Sequence, residues 1–184
     1  MTQTDLPPWP AEPVAYGPVV LREFSDLDVP MVRELSTDPY VPFIGSLPAN
    51  ASQQEAQDWI DRQRGHRTEG TRFSFAIAEA DTDRAVGSIG LGLASLAHGR
   101  ATAGYSVVPS ARSRGVATAA LTALTRFAWT IPALHRIELY IEPWNTGSIR
   151  TAERVGYERE GLLRSHQEIG GHRRDMLLYA IIRP

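Results

Sequence analysis

The sequence predicts an α+β fold in which helices flank a mixed, mostly antiparallel β-sheet. Alternating apolar residues such as Phe73, Phe75 and Ile77 have the period of a strand with one buried face. Between residues 116 and 131 the apolar residues instead recur at helical spacing. Turn residues join several strand segments directly, as in hairpins, which favours antiparallel pairing.

The first half of the chain begins with a predicted strand at 19–22. Two capping boxes then predict two helix starts, because a serine precedes an acidic residue by three positions in each. The first box is Ser25 with Asp28, and the second is Ser52 with Glu55. The region between this strand and Phe73 is therefore expected to be helical.

Three strands, at 73–77, 85–93 and 101–108, are predicted to follow, separated by turn residues at 81–83 and 98–99. After them we expect a helix at 116–131, a strand at 137–142, a helix that Gly156 ends, and a hairpin around Gly170-Gly171. The predicted order is βααβββαβαββ.

One domain is expected at 18–184, since 184 residues suffice for a single core and no repeat or linker is visible. A proline-rich, extended N-terminal arm is expected at 1–17. This arm lacks the basic start and apolar run of a signal peptide, and no stretch is apolar enough to span a bilayer. We therefore expect a cytoplasmic protein with no membrane partner.

Composition excludes several chemistries. The chain has no cysteine, so disulfides, cysteine–zinc sites and acyl-cysteine intermediates are impossible. It also has no lysine, which excludes a P-loop NTPase and a pyridoxal Schiff base. The 19 basic and 21 acidic residues nearly balance, which disfavours a nucleic-acid partner.

The segment between the strand at 101–108 and the next helix has the features of an anion site. Gly115 and Ala117 are small enough for a ligand to approach the backbone closely. The N–H groups and dipole of the helix start attract anions, and Arg112 and Arg114 add positive charge. A pyrophosphate is the expected ligand.

The pattern Arg112-x-x-Gly115-x-Ala117 resembles the coenzyme A signature of GNAT acetyltransferases. The downstream segments 134–139, 145–150 and 155–157, and the terminal 175–179, resemble the branch named for the Rim ribosomal-protein N-terminal acetyltransferases. The likeness extends from about residue 18 to the C-terminus.

The resemblance implies a GNAT fold with two splayed central strands and a coenzyme A site between them, with no metal. In such a site the pantetheine arm pairs with strand backbone and the pyrophosphate lies on the helix-start loop. The cofactor-binding residues implied are Val107, Val108, Arg112, Ser113, Arg114, Gly115, Val116, Ala117, Thr118 and Asn145.

Asn145 and Ser148 are the implied catalytic residues. Many GNAT enzymes carry a tyrosine seven residues after this asparagine to protonate the departing thiolate, but Ala152 occupies that position. The Rim-type branch places a serine at the position of Ser148, where a hydroxyl can stabilise negative charge on sulfur. The alternative interpretation is that both side chains only cap the helix.

The sequence does not identify the general base. Alignment with the family places Thr102 where a glutamate is common, and threonine cannot act as a base at neutral pH. The substitutes are Glu138, Glu142, His98, His166 and Glu168, each of which is also explained as a solvated surface group. Tyr40, Phe43 and Trp59 lie in the early helical region, which lines the acceptor site in this family, although such aromatic residues usually belong to the core.

The expected function is transfer of an acetyl group from acetyl-CoA to a primary amine, on a protein N-terminus or a small molecule, by direct attack. Two alternatives are a succinyl- or other acyl-CoA transferase of the same fold and a non-catalytic coenzyme A-binding sensor. Thr102 and Ala152 give the sensor alternative some weight, since both occupy positions that are often catalytic in this family. We also expect a homodimer.

Overall fold

The computed structural model of the protein describes residues 9–184. The strands are β1 Val14–Tyr16, β2 Val19–Arg22, β3 Arg72–Glu79, β4 Ala85–Gly92, β5 Arg100–Val107, β6 Arg136–Ile141, β7 Glu158–Ile169 and β8 His172–Ile182. The α-helices are α1 Val29–Ser36, α2 Val41–Ile44, α3 Gln53–Thr68, α4 Val116–Ala128 and α5 Thr146–Val155.

The strands form one sheet in the order β1-β2-β3-β4-β5-β6-β8-β7. The pair β5 and β6 is parallel, and the other neighbours are antiparallel. The predicted α+β class with a mixed, mostly antiparallel sheet is confirmed. No helix within residues 9–184 is both long and apolar enough to cross a membrane.

The two faces of the sheet carry different residues. On one face the rings of Phe73 and Phe75 meet the edge of Phe127 on α4, at centroid distances of 5.0 and 5.4 Å. On the other face Ser74 lies under α3, where His66 Nδ1 is 3.2 Å from its hydroxyl. The central part of β3 is therefore buried on both sides, whereas its alternation predicted one buried face.

Both predicted capping boxes open helical segments. Ser52 N–H donates to the Glu55 carboxylate at 2.8 Å, and Glu55 N–H donates back to the Ser52 hydroxyl at 3.2 Å. At the other box, Ser25 N–H donates to Asp28 at 2.8 Å, and a short 3₁₀ turn leads into α1. These reciprocal bonds satisfy backbone donors that a helix start leaves unpaired.

Two short elements were not expected. Val14–Tyr16, within the predicted arm, pairs with β2 as an edge strand, with Val14 opposite Leu21. An edge strand tolerates the flanking prolines, because one side of its backbone needs no partner. The second is the one-turn helix α2. Residues 1–8 of the arm lie outside the described residues.

Candidate functional site

The centre of the sheet is split between β5 and β6. These strands pair only at their first residues, where Arg100 to Thr102 lie opposite Arg136 to Glu138. Beyond Thr102, β5 continues to pair with β4 but diverges from β6. The result is a V-shaped gap that widens toward the C-terminal ends of both strands, and the predicted splayed central strands are confirmed.

The loop after β5 brings the start of α4 to the mouth of this gap. Ser113 and Gly115 have φ angles of +61° and +79°, and the left-handed conformation at Gly115 favours glycine. The first intrahelical bond runs from Ala119 N–H to Gly115 O at 3.0 Å. The N–H groups at 116–118 therefore precede the helical ladder and are oriented to receive an anion.

The two arginines of this loop are engaged within the protein. Arg112 donates from Nε to the carbonyl of Val107 at 3.1 Å and from a terminal nitrogen to Asp38 at 2.6 Å. Arg114 pairs with Glu79 at 3.2 Å. Their guanidinium groups thus hold the loop in place, in addition to the positive charge that the sequence suggested.

The first turn of α5 forms the facing wall. The Asn145 side-chain oxygen accepts a hydrogen bond from the N–H of Ser148 at 3.1 Å. Asn145 therefore caps the helix, which is one of the two roles predicted for it. The buried hydroxyl of Tyr105 lies beside the hydroxyls of Ser148 and Thr151 without a well-formed hydrogen bond to either. Burial raises the pKa of Tyr105, and these two hydroxyls oppose that shift.

A cleft of about 680 Å³ lies between these walls. Of the predicted site residues it is lined by Val107, Arg112, Ser113, Gly115, Val116, Ala117, Thr118, Asn145 and Ser148. Two predicted residues lie elsewhere. Val108 is 1% exposed and belongs to the core, and Arg114 is turned toward Glu79.

Tyr105 lines the cleft although no sequence motif selected it. Its position could have suggested this role, because it lies two residues before Val107 and so on the same face of the strand.

Aromatic side chains cover one end of the cleft. Tyr40 packs edge-on against Trp144 with a centroid distance of 4.9 Å, and both line the cleft. Phe43 is 60% exposed and faces the tip of the β7–β8 hairpin, where a Cβ at Gly170 would be 3.3 Å from its ring. Trp59 lines a smaller adjoining cavity. The early helical region therefore borders the site, as the resemblance implied.

The predicted candidates for the general base lie in different environments in the structure. Glu138 accepts from Arg136 at 2.6 Å and from Tyr140 at 2.9 Å. Burial raises the pKa of Glu138, but these two donors outweigh it and hold the value below its usual range. Thr102 is exposed and lies in the part of β5 that pairs with β6.

The remaining candidates differ in burial. Glu142 is 4% exposed, follows β6 directly, and lies 3.7 Å from Arg174. Burial, together with the nearby Glu142 carboxylate, raises the pKa of Tyr40. His98, His166 and Glu168 are exposed. Among the candidates for the general base, Glu142 is thus the buried carboxylate that lies close to Tyr40, at the aromatic end of the cleft.

Comparison with known proteins agrees with this geometry. Residues 19–158 match a family model described as an acetyltransferase (GNAT) domain. An uncharacterized N-acetyltransferase p20 of Bacillus licheniformis is 27% identical over 165 residues, which cover 90% of this chain and 93% of that protein. The [ribosomal protein uS5]-alanine N-acetyltransferase of Escherichia coli is 29% identical over 119 residues, which cover 63% of this chain and 60% of that enzyme.

Among solved structures, Mycobacterium smegmatis RimJ in complex with CoA-disulfide is similar with a TM-score of 0.78 and 28% identity, over 92% of this chain and 89% of that one. The relatives include a ribosomal-protein N-acetyltransferase, which agrees with the Rim-type resemblance. Since the family model matches most of the chain and the sheet has the splayed strands of that fold, the protein belongs to the GNAT family of N-acetyltransferases.

Proposed function

We propose that residues 18–184 act as one acetyltransferase domain that binds acetyl-CoA in the cleft and transfers the acetyl group to a primary amine. The observation that carries this proposal is the gap between β5 and β6, which opens directly onto the N-terminus of α4. One long ligand with an extended arm and a pyrophosphate fits both features. The similar M. smegmatis RimJ was solved in complex with CoA-disulfide, which supports a coenzyme A ligand here.

The residues present fit coenzyme A. Backbone groups of β5 near Val107 have no strand partner on the β6 side within the described sheet, so they are free to pair with an amide-bearing arm. The amides of 116–118 and the adjoining loop would hold the pyrophosphate, at the positive end of the helix dipole. Arg112 would act by shaping this loop through Asp38 and by contributing charge.

Acetyl-CoA supplies a thioester, whose carbonyl carbon an amine can attack directly. The nitrogen–carbon bond forms, the carbon–sulfur bond breaks, the amine loses a proton and the sulfur gains one. Ser148 lines this cleft beside the Tyr105 hydroxyl, and we propose that its hydroxyl donates a hydrogen bond to the sulfur. Holding both reactants in line would provide much of the rate advantage.

The acceptor is proposed to be a protein N-terminus or a small-molecule amine. The E. coli relative is named for acetylation of an alanine of a ribosomal protein, which supports a protein α-amine. The smaller cavity lined by Trp59 adjoins the cleft through four shared residues, so an acceptor can reach the gap from that side. These four are Val41, Ile44, Tyr105 and Ser106.

Mass spectrometry of products tests the function. The purified protein is incubated with acetyl-CoA and a panel of primary amines that includes ribosomal-protein N-terminal peptides, while thiol release is followed in parallel. We expect an acetylated amine and an equal amount of free thiol. Calorimetric binding of acetyl-CoA without thiol release from any amine would favour the non-catalytic sensor, and absence of binding would refute the cleft assignment.

We further propose that the protein acts in the cytoplasm as a homodimer. The strand β7 is an edge of the sheet and is largely exposed, with Leu162 44% exposed. The arginine-rich stretch 164–174 continues this surface. An edge strand with exposed apolar side chains favours pairing with another chain. Light scattering that gives a mass of 20.3 kDa at high concentration would contradict the dimer.

A further inference from the structure

A second cavity of about 200 Å³ adjoins the cleft on the α3 side of the sheet. Its cover is mainly apolar and comes from the helical region, with Leu35, Leu47 and Trp59 among the contributors. Its floor consists of small and polar residues from three neighbouring strands. These floor residues are Arg72, Ser74, Ser88, Gly104 and Ser106.

The side chain of Arg72 crosses this floor from β3 toward β5. Ser74 is paired with Gly90, and Gly90 with Gly104, so two glycines lie in line across the strands. A Cβ at Gly90 would clash with Arg72 Nε, and one at Gly104 would be 3.8 Å from a terminal nitrogen of Arg72. The missing side chains thus provide the space in which the guanidinium lies.

Among residues 9–184, no carboxylate forms an ion pair with Arg72. Within the same part of the chain its buried Nε finds no hydrogen-bond partner, and the cavity lining contains no aspartate or glutamate. Burial lowers the pKa of the Arg72 guanidinium, because removal from water disfavours the charged form. Arg72 is half-buried, but its enclosed Nε has no partner among the described residues, and an enclosed charged group without a partner is costly. The structure is therefore more readily explained if a ligand supplies the missing anion.

Other donors surround the same space. His66 and Gln63 reach the cavity from α3, and the hydroxyls of Ser88 and Ser106 reach it from the sheet. The guanidinium of an arginine is planar and matches a carboxylate with two parallel hydrogen bonds. The cavity therefore combines one fixed cation, several neutral donors and room for a small group.

We propose that this cavity binds a carboxylate through Arg72, next to the transfer site. The inference rests on the proposed function and narrows it, because a cationic polyamine would meet an arginine and no acidic residue in the lining described above. Two sources of the carboxylate fit the geometry. One is the far end of a dicarboxylic acyl group such as succinyl on the donor, and the other is a carboxylate of the acceptor.

Two binding arms distinguish these sources without relying on turnover. In the donor arm, calorimetry compares succinyl-CoA with acetyl-CoA. In the acceptor arm, coenzyme A-loaded protein is titrated with N-acetylglycine and with its carboxamide, which mimic an acetylated product with and without the charge. We expect the carboxylate to bind more tightly in one arm, and the Arg72→Met variant to lose that preference by on the order of 10²-fold.

The matched control is Arg126→Met, which removes an arginine that lies over Tyr16 on the α4 side of the sheet. It should keep the preference, and Arg72→Gln serves as a second variant if Arg72→Met does not fold. The proposal would be overturned if succinyl-CoA binds no more tightly than acetyl-CoA and N-acetylglycine no more tightly than its carboxamide. It would also be overturned if Arg72→Met keeps the wild-type preference for the carboxylate. If Arg72→Met binds acetyl-CoA as the wild type does, the proposed acetyltransferase function stands whatever the outcome for the carboxylate. If the wild type does not bind acetyl-CoA, that function is refuted separately.

Discussion

Arg112 donates to Asp38 at 2.6 Å, and this bond joins the loop before α4 to the segment between α1 and α2. Asp38 is 7% exposed and also accepts the N–H groups of Tyr40 at 2.7 Å and Val41 at 3.0 Å. One carboxylate therefore fixes both the proposed pyrophosphate loop and the aromatic cover of the cleft. Changes at Asp38 should affect both walls together.

The first prediction concerns the pH dependence that Asp38 contributes. Burial raises its pKa, but the N–H groups of Val41 and Tyr40 and the Arg112 guanidinium outweigh burial and hold the value below the usual range. Because the folded pKa is depressed, the stabilisation is complete above the unfolded value of about 3.9 and is lost as pH falls through the folded pKa.

Asp38→Asn should therefore lower the free energy of unfolding at pH 7 by about 1–3 kcal/mol, and the difference from wild type should shrink below about pH 4. Urea unfolding at a series of pH values measures this. Asp58→Asn is the control, since Asp58 is exposed and accepts from Gln54 at the surface. A difference that stays constant down to pH 2 would mean that the Asp38 charge does not stabilise the fold.

The second prediction tests the loop at the start of α4. Gly115→Glu should weaken acetyl-CoA binding by on the order of 10²-fold, because it places a negative charge where the helix dipole and free amides attract the pyrophosphate. Gly115→Gln is the matched control. It introduces similar bulk and the same strain at a φ of +79° without the charge, so its loss of affinity should be smaller. Calorimetry that finds wild-type affinity in folded Gly115→Glu would remove this loop from the site.

Thiolate departure is the subject of the third prediction. Ser148→Ala should lower kcat by roughly 10²-fold with acetyl-CoA affinity nearly unchanged, since the hydroxyl helps only as charge develops on sulfur. Thr146→Ala is the control and should retain activity, since Thr146 lies in the same turn but is exposed and does not line the cleft. If Ser148→Ala turns over normally with its true acceptor, Ser148 serves the helix start alone. In that case Tyr105 becomes the hydroxyl to substitute next.

The fourth prediction is that Arg72→Met stabilises the ligand-free protein, whereas most single substitutions destabilise a protein. Removing an unpartnered charge and filling its space with an apolar side chain should raise the free energy of unfolding by about 1–3 kcal/mol. Thermal and urea unfolding give the value, with Arg126→Met as the control. A clear loss of stability in Arg72→Met would indicate that the guanidinium supports the fold, and would weaken the case that it is kept for a ligand.

The sequence predicted those elements whose local signals agree with their packing. The capping boxes at Ser52 and Ser25 marked helical segments, and the small residues at 115 and 117 marked the loop that meets the gap. The edge strand Val14–Tyr16 was missed because three residues between prolines carry no readable periodicity, and its stability depends on pairing with β2.

Local sequence patterns could not predict which side chains pair when the residues lie far apart in the chain. Arg112 and Arg114 were expected to serve the ligand, but their carboxylate partners lie at Asp38 and Glu79, far away in the sequence. Arg72 carried no signal at all, since its burial depends on the register that places Gly90 under its guanidinium. Burial and register, unlike caps and turns, are set by the assembled sheet.

The short pairing between β5 and β6 has a consequence for the rates at which backbone amides exchange with solvent deuterium. Every second amide of β5 between 103 and 107 points away from β4, toward a strand that has already diverged. In the ligand-free protein these amides should exchange quickly although they lie in the middle of an eight-stranded sheet, while their neighbours bonded to β4 exchange slowly. Bound coenzyme A would act as a removable ninth strand that slows only the exposed set.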